Sequence, residues 1–194
     1  DTIARLRDEG FHGVHLNIEP LENDHEGYVE LLRDVRRRLG YGFVLSHATR
    51  RAGPYGFAPA PMGSAAWSES FYRQTMALTD QTVLMAYDTK SDIEKHYVAF
   101  VKHQTQLLVS WGCELPAHQV LIGVPAYEDV PLYSNPEIEN IPNAVAGVRA
   151  ALEACAAREA GPAEVEGEAG AAAREIAERS RRVLASCRPG LRLP

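Results

Sequence analysis

The chain has 194 residues, 45% hydrophobic and 24% charged, which is enough for one domain with a sizeable core. Acidic residues outnumber basic ones by 26 to 20, for a formal net charge of -6, and no Lys/Arg cluster is interleaved with aromatics, so a nucleic acid is not expected as partner. Cys113, Cys155 and Cys187 are too sparse for a disulfide framework or a zinc pattern, and no run reaches the roughly 18 apolar residues of a membrane span.

Asp1 rather than Met opens the chain, so the native N-terminus and any export signal are expected upstream, which leaves localisation open. The opening DTIARLRDEG reads as the end of a helix closed by Gly10. Residues 11–18 then read as a strand. Val14, Leu16 and Ile18 alternate with His15, Asn17 and Glu19, a period of two that gives one apolar and one polar face. Pro20 and Leu21 lead into a helix near 25–39, with Tyr28, Leu31, Leu32, Val35 and Leu39 on one side, Asp24 as cap and Gly40 as stop. In such a βα unit the strand belongs to a parallel sheet buried on both faces. Unpaired polar groups there cost roughly 2–7 kcal/mol each, so polar residues in that strand need a reason.

A second strand is predicted over 43–49 (FVLSHAT), followed by a loop over 50–66 that is too long and too rich in Gly, Pro and Ala to be a mere connector. A helix over 68–78 hands over to a third strand, 82–88 (TVLMAYD). Ser91, Asp92, Ile93 and Glu94 fit a capping box for the next helix, which continues through Tyr97, Phe100, Val101, Gln104 and Leu107 to Gly112. The fourth strand is 119–127 (QVLIGVPAY). After an irregular stretch with Pro and Asn, a helix is predicted over 142–160, with Pro142 in its first turn. Residues 1–160 read as one α/β domain and 161–194 as an Ala/Glu/Arg-rich helical tail, with Ile176, Val183, Leu184 and Cys187 as its apolar stripe. Trp67 and Trp111 read as core, and His96 and His103 as surface.

Four strands each followed by a helix fit either a doubly wound sheet or half of a (β/α)8 barrel, and periodicity does not separate the two. No GxGxxG or GxxxxGK[ST] loop follows any strand, which counts against a nucleotide-binding sheet. HGVHLNIE resembles the DGxDxDxE strand of family 18 glycoside hydrolases, the chitinase and chitinase-like barrels, with Glu19 at the position of the catalytic acid. VLSHAT, LMAYD and VLIGVPAY follow in the order of that family's fifth, sixth and seventh strands, the last two often reading MxYD and GxPxY. The resemblance covers about residues 1–160. It implies a partial (β/α)8 TIM barrel of about four βα units, strands four to seven, with the site at the C-terminal strand ends. A four-stranded piece leaves two open edges, so the chain is expected to be a fragment of a longer barrel, or a half that pairs with the missing half or a second copy.

For activity, the resemblance implies substrate-assisted hydrolysis of glycans that contain N-acetylglucosamine. An acid protonates the glycosidic oxygen while the substrate's own N-acetyl carbonyl attacks the anomeric carbon. A protonated Glu19 fills the first role, which asks for a buried carboxyl. The family's acetamido-orienting Asp is here Asn17. At about 3.3 Å per residue, Asn17 and Glu19 lie roughly 6.6 Å apart on one face of an extended strand. Endo-N-acetylglucosaminidases of family 85 are similar in using an Asn there. Tyr87 and Asp88 are implied to contact the acetamido or hydroxyl groups, while a buried tyrosine and a strand-end cap account for them equally well. Met85 faces the same way as Tyr87 and also reads as core; Tyr127 can stack on a sugar or pack under its loop. Glu128 and Asp129 form a loop acid pair within reach of substrate.

His12 and His15 stand where the family has carboxylates. Three apart on a strand, they face opposite ways, and a shared metal ion is not expected. His15 reads as part of a hydrogen-bonded inner layer below Asn17 ahead of a direct contact with substrate. No metal or organic cofactor is expected. The alternative function is a non-catalytic, carbohydrate-binding chitinase-like lectin, for which the loss of acidic motif positions speaks, or an inactive fragment of a larger barrel.

Overall fold

The computed structural model of the protein describes residues 2–53, 66–127 and 135–159. Its elements run α1 (Thr2–Asp8), β1 (Gly13–Leu16), α2 (Glu26–Leu39), β2 (Val44–Thr49), α3 (Glu69–Met76), β3 (Gln81–Met85), α4 (Glu94–Gly112), β4 (Gln119–Gly123) and α5 (Ile141–Glu159). The four strands form one sheet in the order β1-β2-β3-β4, every pair parallel. Strands that neighbour each other in chain order, with no reversal, follow the winding of a (β/α)8 barrel. A doubly wound sheet changes direction at a switch point, and none occurs here. The architecture is α/β, a partial TIM barrel of four strands.

Two compact units make up the chain. The first, residues 1–86 with 117–123, contains the whole sheet with α1, α2 and α3; the second, residues 87–116 and those after 123, contains α4 and α5. In the first unit the register places Leu16, His47, Thr82 and Val120 in one row. His47 and Thr82 of that row, with Leu45 and Leu84, are buried together with Leu32, Leu39, Trp67, Phe71 and Tyr72. Trp67 is the hub, 4.6 Å from the Phe71 ring and 5.5 Å from the Tyr72 ring, both edge-on, the geometry that the ring quadrupoles favour. Arg36 closes the N-terminal strand ends. It donates to the carbonyls of Leu78, Gly40 and Phe43 and pairs with Asp80 at 2.5 Å, while Asp80 also accepts from Leu45 N at 2.7 Å. In the second unit α4 packs on α5, where Ala144, Gly147 and Ala151 make a row of small residues. A Cβ on Gly147 would lie 2.7 Å from Val101 Cβ and 2.8 Å from the Val98 carbonyl oxygen, so glycine is what lets the helices approach.

Element boundaries depart from the sequence expectations where side chains outside the periodic pattern take over. β1 ends at Leu16, not 18, because the chain turns to bury Leu21, whose carbonyl accepts from Trp67 Nε1 at 3.3 Å and from Arg50 at 3.4 Å. The α2 cap is His25, not Asp24: its Nδ1 accepts from Tyr28 N at 3.1 Å. Leu31 is about a third exposed (37%) at the edge of the apolar stripe, and Val29 is buried instead. β3 stops at Met85 and leaves Tyr87 and Asp88 in the following loop, where Asp88 has a left-handed φ of 57° that no strand continues. β4 stops at Gly123 because Pro125 has no N–H to give the ladder. The capping box of α4 does not form. Ile93 occupies the cap with no side-chain bond, and the Ser91 hydroxyl donates instead to the Ile93 carbonyl at 3.1 Å. Gly40 ends α2 at φ 72° and Pro142 sits in the first turn of α5, as expected, and Ser68 caps α3. The loop core at 54–65, the acid pair Glu128 and Asp129, and the tail 161–194 lie outside the described residues.

Candidate active site

Of the sequence-predicted residues of the first strand motif, His15 lies in β1, on the face opposite the row of Leu16 and His47, and Asn17 and Glu19 follow the strand. His15 and Asn17 are exposed, in contrast to the buried row of His47 and Thr82. Parallel strands are normally apolar on both faces, so exposed polar side chains at the end of β1 are the part of this unit suited to a polar ligand. His15 Nδ1 lies 2.9 Å from the Ser46 hydroxyl, directly across the β1–β2 register. That bond links β1 to β2 through their side chains. Asn17 is one residue beyond β1 and Glu19 three beyond it; both are exposed, and the Glu19–Pro20 peptide is cis. The buried carboxyl that an acid role asks of Glu19 is therefore not provided by the described residues of this chain. Met85, half-buried, ends β3. With β2 between them, β1 and β3 run about 9.6 Å apart, so Met85 and Glu19 border the same strand ends without being direct neighbours.

The remaining predicted residues belong to the second unit. Tyr87 is half-buried and Asp88 exposed. The Tyr127 hydroxyl donates to Asp88 Oδ1 at 2.6 Å and accepts from Asp88 N at 3.3 Å, so the loops after β3 and β4 are joined through one aromatic hydroxyl and one carboxylate. Their pairing was not legible from periodicity, because both lie past the strands.

Two features escaped the sequence reading. Glu139 is fully buried in the turn before α5, and its carboxylate accepts from Thr89 N at 3.0 and 3.1 Å, from the Thr89 hydroxyl at 2.9 Å and from Ser91 N at 3.3 Å. The only sequence signal is an acid next to a helix start, which reads as ordinary dipole complementation. Beneath the sheet, buried His47 lies between the Tyr28 hydroxyl at 3.1 Å and the Thr82 hydroxyl at 3.0 Å. Burial, and then the charges of His118 and His15, hold the His47 imidazole down at about 3. His118 is also lowered by burial, against the opposing pull of its bond to the Thr79 carbonyl and of Asp80. Both are neutral structural groups at pH 7, on the face away from Asn17.

A cavity of about 250 Å³ lined by Tyr41, Phe43, Asp80, Gln81 and Gln119 lies at the N-terminal ends of β2, β3 and β4, the end of the sheet opposite Met85. Among the described residues no three His, Cys, Asp or Glu side chains are grouped to hold a metal ion, and no helix is long and apolar enough to cross a membrane.

Compared with protein-family models and with curated proteins, the chain matches none. Among solved structures it is similar to the Bacillus cereus spore cortex-lytic enzyme SleL, at 21% identity and a TM-score of 0.48 over 63% of this chain and 27% of that one. It is also similar to a chitinase from Chromobacterium violaceum, at 19% identity and a TM-score of 0.46 over 64% of this chain and 39% of that one. The Bacillus megaterium SleL gives 17% identity and a TM-score of 0.46 over 77% of this chain and 34% of that one. The chain thus spans between 27% and 39% of the length of these three structures.

Proposed function

We propose that this chain carries the acid-bearing part of a family 18-like glycoside hydrolase that acts on glycans containing N-acetylglucosamine. The observation that carries the reading is the polar series His15, Asn17 and Glu19, exposed at the C-terminal end of a parallel strand whose other face belongs to the core. Polar residues are set there at the cost of a covered sheet, in the place where a (β/α)8 arrangement carries its chemistry. The four strand motifs, in the family's order, support the same reading.

In this mechanism Glu19 gives its proton to the glycosidic oxygen as the bond from that oxygen to the anomeric carbon breaks. The substrate's acetamido oxygen forms the new bond to the anomeric carbon. The Glu19 carboxylate then takes a proton from the water that opens the cyclic intermediate, so the acid is restored and no enzyme nucleophile is used. Asn17 holds the acetamido group by hydrogen bonding from its side-chain amide. His15 supports Asn17 from the layer below, and Tyr87, Asp88, Met85 and Tyr127 supply sugar contacts. Glu19 is exposed in this chain, so the bound glycan, together with the missing barrel half or a second copy, completes the cover over the acid.

Mass spectrometry of N-acetylglucosamine oligomers incubated with the folded chain and with Glu19→Gln tests the assignment. Cleavage by the parent that the variant loses establishes the acid. The second reading, a sugar-binding barrel without turnover, is favoured by Asn17 in place of an acid. It predicts oligomer binding with no cleavage by either protein.

A further inference from the structure

The glycosidase reading leaves the most buried carboxylate of the described residues unused. Glu139 has no exposed surface, yet no cation pairs with it in the described hydrogen bonds; its partners are the amides of Thr89 and Ser91 and the Thr89 hydroxyl. Burying an ionised carboxylate is expensive unless such donors converge on it, so the sequence holds this arrangement against a cost. The loop wraps the anion with its backbone. Asp88 and Lys90 both take left-handed φ values of 57°, which turn the intervening amides inward as in the concave anion-binding turns that backbone N–H groups make. The Ser91 amide also donates to the Thr89 hydroxyl at 3.3 Å, closing the loop on itself.

The backbone that carries Glu139 is anchored as well. Glu139 N donates to the Asn135 carbonyl at 2.6 Å, and the Asn140 side chain caps α5 by accepting from Asn143 N at 3.0 Å. Glu139 therefore sits rigidly at the positive end of a helix of 19 residues. The residue immediately before the clamped amide is Asp88, whose carboxylate accepts from the Tyr127 hydroxyl. Tyr97, buried in α4, has its hydroxyl pushed up by burial first and then by the charges of Glu139 and Tyr127.

We propose that Glu139 is the positioning residue for Asp88: by clamping the amides of Thr89 and Ser91 it holds the Asp88 carboxylate against the Tyr127 hydroxyl in the geometry that recognises the sugar. The sugar part of this rests on the glycosidase reading; the clamp does not.

The test uses the full chain in two measurements. The first is NMR without sugar, following the Thr89 and Ser91 amides, the Asp88 carboxyl carbon and the Tyr127 ring in the parent, Glu139→Gln and Thr89→Val. The second is calorimetric binding of N-acetylglucosamine oligomers to the parent, Glu139→Gln, Asp88→Asn and the double variant. Positioning predicts that all four NMR probes move in Glu139→Gln while the protein still melts cooperatively. It also predicts that affinity falls about ten- to a hundredfold, the worth of one hydrogen bond to a charged group. In the double variant the loss is no greater than in Asp88→Asn alone, since one residue acts through the other. Unmoved Asp88 and Tyr127 resonances in a folded Glu139→Gln overturn the proposal, as do additive losses in the double variant. Should Glu139→Gln not fold, Thr89→Val carries the same decision through the Asp88 carboxyl signal. A parent that binds no oligomer while Asp88 responds to Glu139→Gln removes the glycan reading and leaves the clamp standing.

Discussion

His118 donates from Nδ1 to the Thr79 carbonyl at 2.9 Å, and this one bond fixes the direction of a buried chain of hydrogen bonds across three strands. A carbonyl only accepts, so Nδ1 carries the proton and Nε2 of the neutral ring must accept, which it does from the Thr82 hydroxyl at 3.0 Å. The Thr82 oxygen then accepts from His47 Nε2 at 3.0 Å, and His47 Nδ1 accepts from the Tyr28 hydroxyl at 3.1 Å. Every polar atom along the row is satisfied with one orientation. Helix α2 is thereby tied to β2, β3 and the start of β4 by more than apolar contact.

Thr82→Val keeps the shape of the side chain and removes the link. It leaves the His47 Nε2–H and the His118 Nε2 lone pair buried without a partner, and unfolding in urea should show a loss of about 2–4 kcal/mol, two unsatisfied groups at 1–3 kcal/mol each with partial relaxation. Thr82→Ser keeps the hydroxyl and should cost clearly less. Equal losses in the two variants would mean that the hydroxyl contributes nothing beyond its methyl neighbour.

The same chain sets a pH dependence. The ordinary His value is 6.5, and His47 is held at about 3 in the folded protein, by burial first and by the charges of His118 and His15 after that. Between these values the unfolded state binds the extra proton, so stability rises with pH across the window. The contribution is complete above about 6.5 and is lost as pH falls towards 3, with a slope of up to about 1.4 kcal/mol per pH unit for one group. His118 is lowered too, chiefly by burial, and steepens the upper part of the window. Urea midpoints at a series of pH values from 4 to 8 test this, with His47→Gln as control. The variant should be less stable at pH 7 but flatter with pH, and parallel curves for the two proteins would exclude His47 as the source.

Gly13 sets how closely β1 lies on β2. A Cβ there would collide with the Val44 carbonyl oxygen and lie 2.8 Å from Val44 Cβ, and the backbone of a paired strand has nowhere to move. Gly13→Ala should detach β1 from its register at a cost of about 1–3 kcal/mol, the range for overpacking. Because β1 carries His15 and leads to Asn17 and Glu19, sugar binding should fall further than stability does. Hydrogen exchange of the β1 amides reads the detachment directly, and unchanged protection there would refute it.

How much of this was legible in the sequence follows from what each part depends on. The strand series and its order are written in periodicity and turn residues, which act over a few neighbours, so β1 to β4 and the polar face of His15 and Asn17 are all readable. Strand ends are not, since they depend on distant partners: Leu21 is drawn inward by Trp67, and Asp88 is turned left-handed beside a loop clamped from residue 139. The exposure of Glu19 is a property of the covering layer. A strand in a closed barrel and the same strand in an open sheet have the same alternation, so no pattern within residues 11–19 could reveal it. His47 is the reverse case. A histidine in FVLSHAT looks like a motif position, and only the register with Thr82 shows that it faces the core.

Asn17 is the position at which the glycosidase and lectin readings part. Its side chain is exposed, so Asn17→Asp should leave stability within about 0.5 kcal/mol of the parent. Turnover responds differently. The acetamido group develops positive charge as its oxygen bonds to the anomeric carbon, and a carboxylate stabilises that charge where an amide only aligns it. A hydrogen bond to a charged group is worth about 1.5–3 kcal/mol, which corresponds to a gain of about ten- to a hundredfold in the rate of oligomer cleavage. Oligomer affinity should change little, because the charge develops on the way to the transition state and not in the bound ground state. A folded Asn17→Asp that binds oligomers and cleaves them no faster would show that the chemistry is missing for a reason other than this residue. The exposed Glu19 would then be the next position to account for.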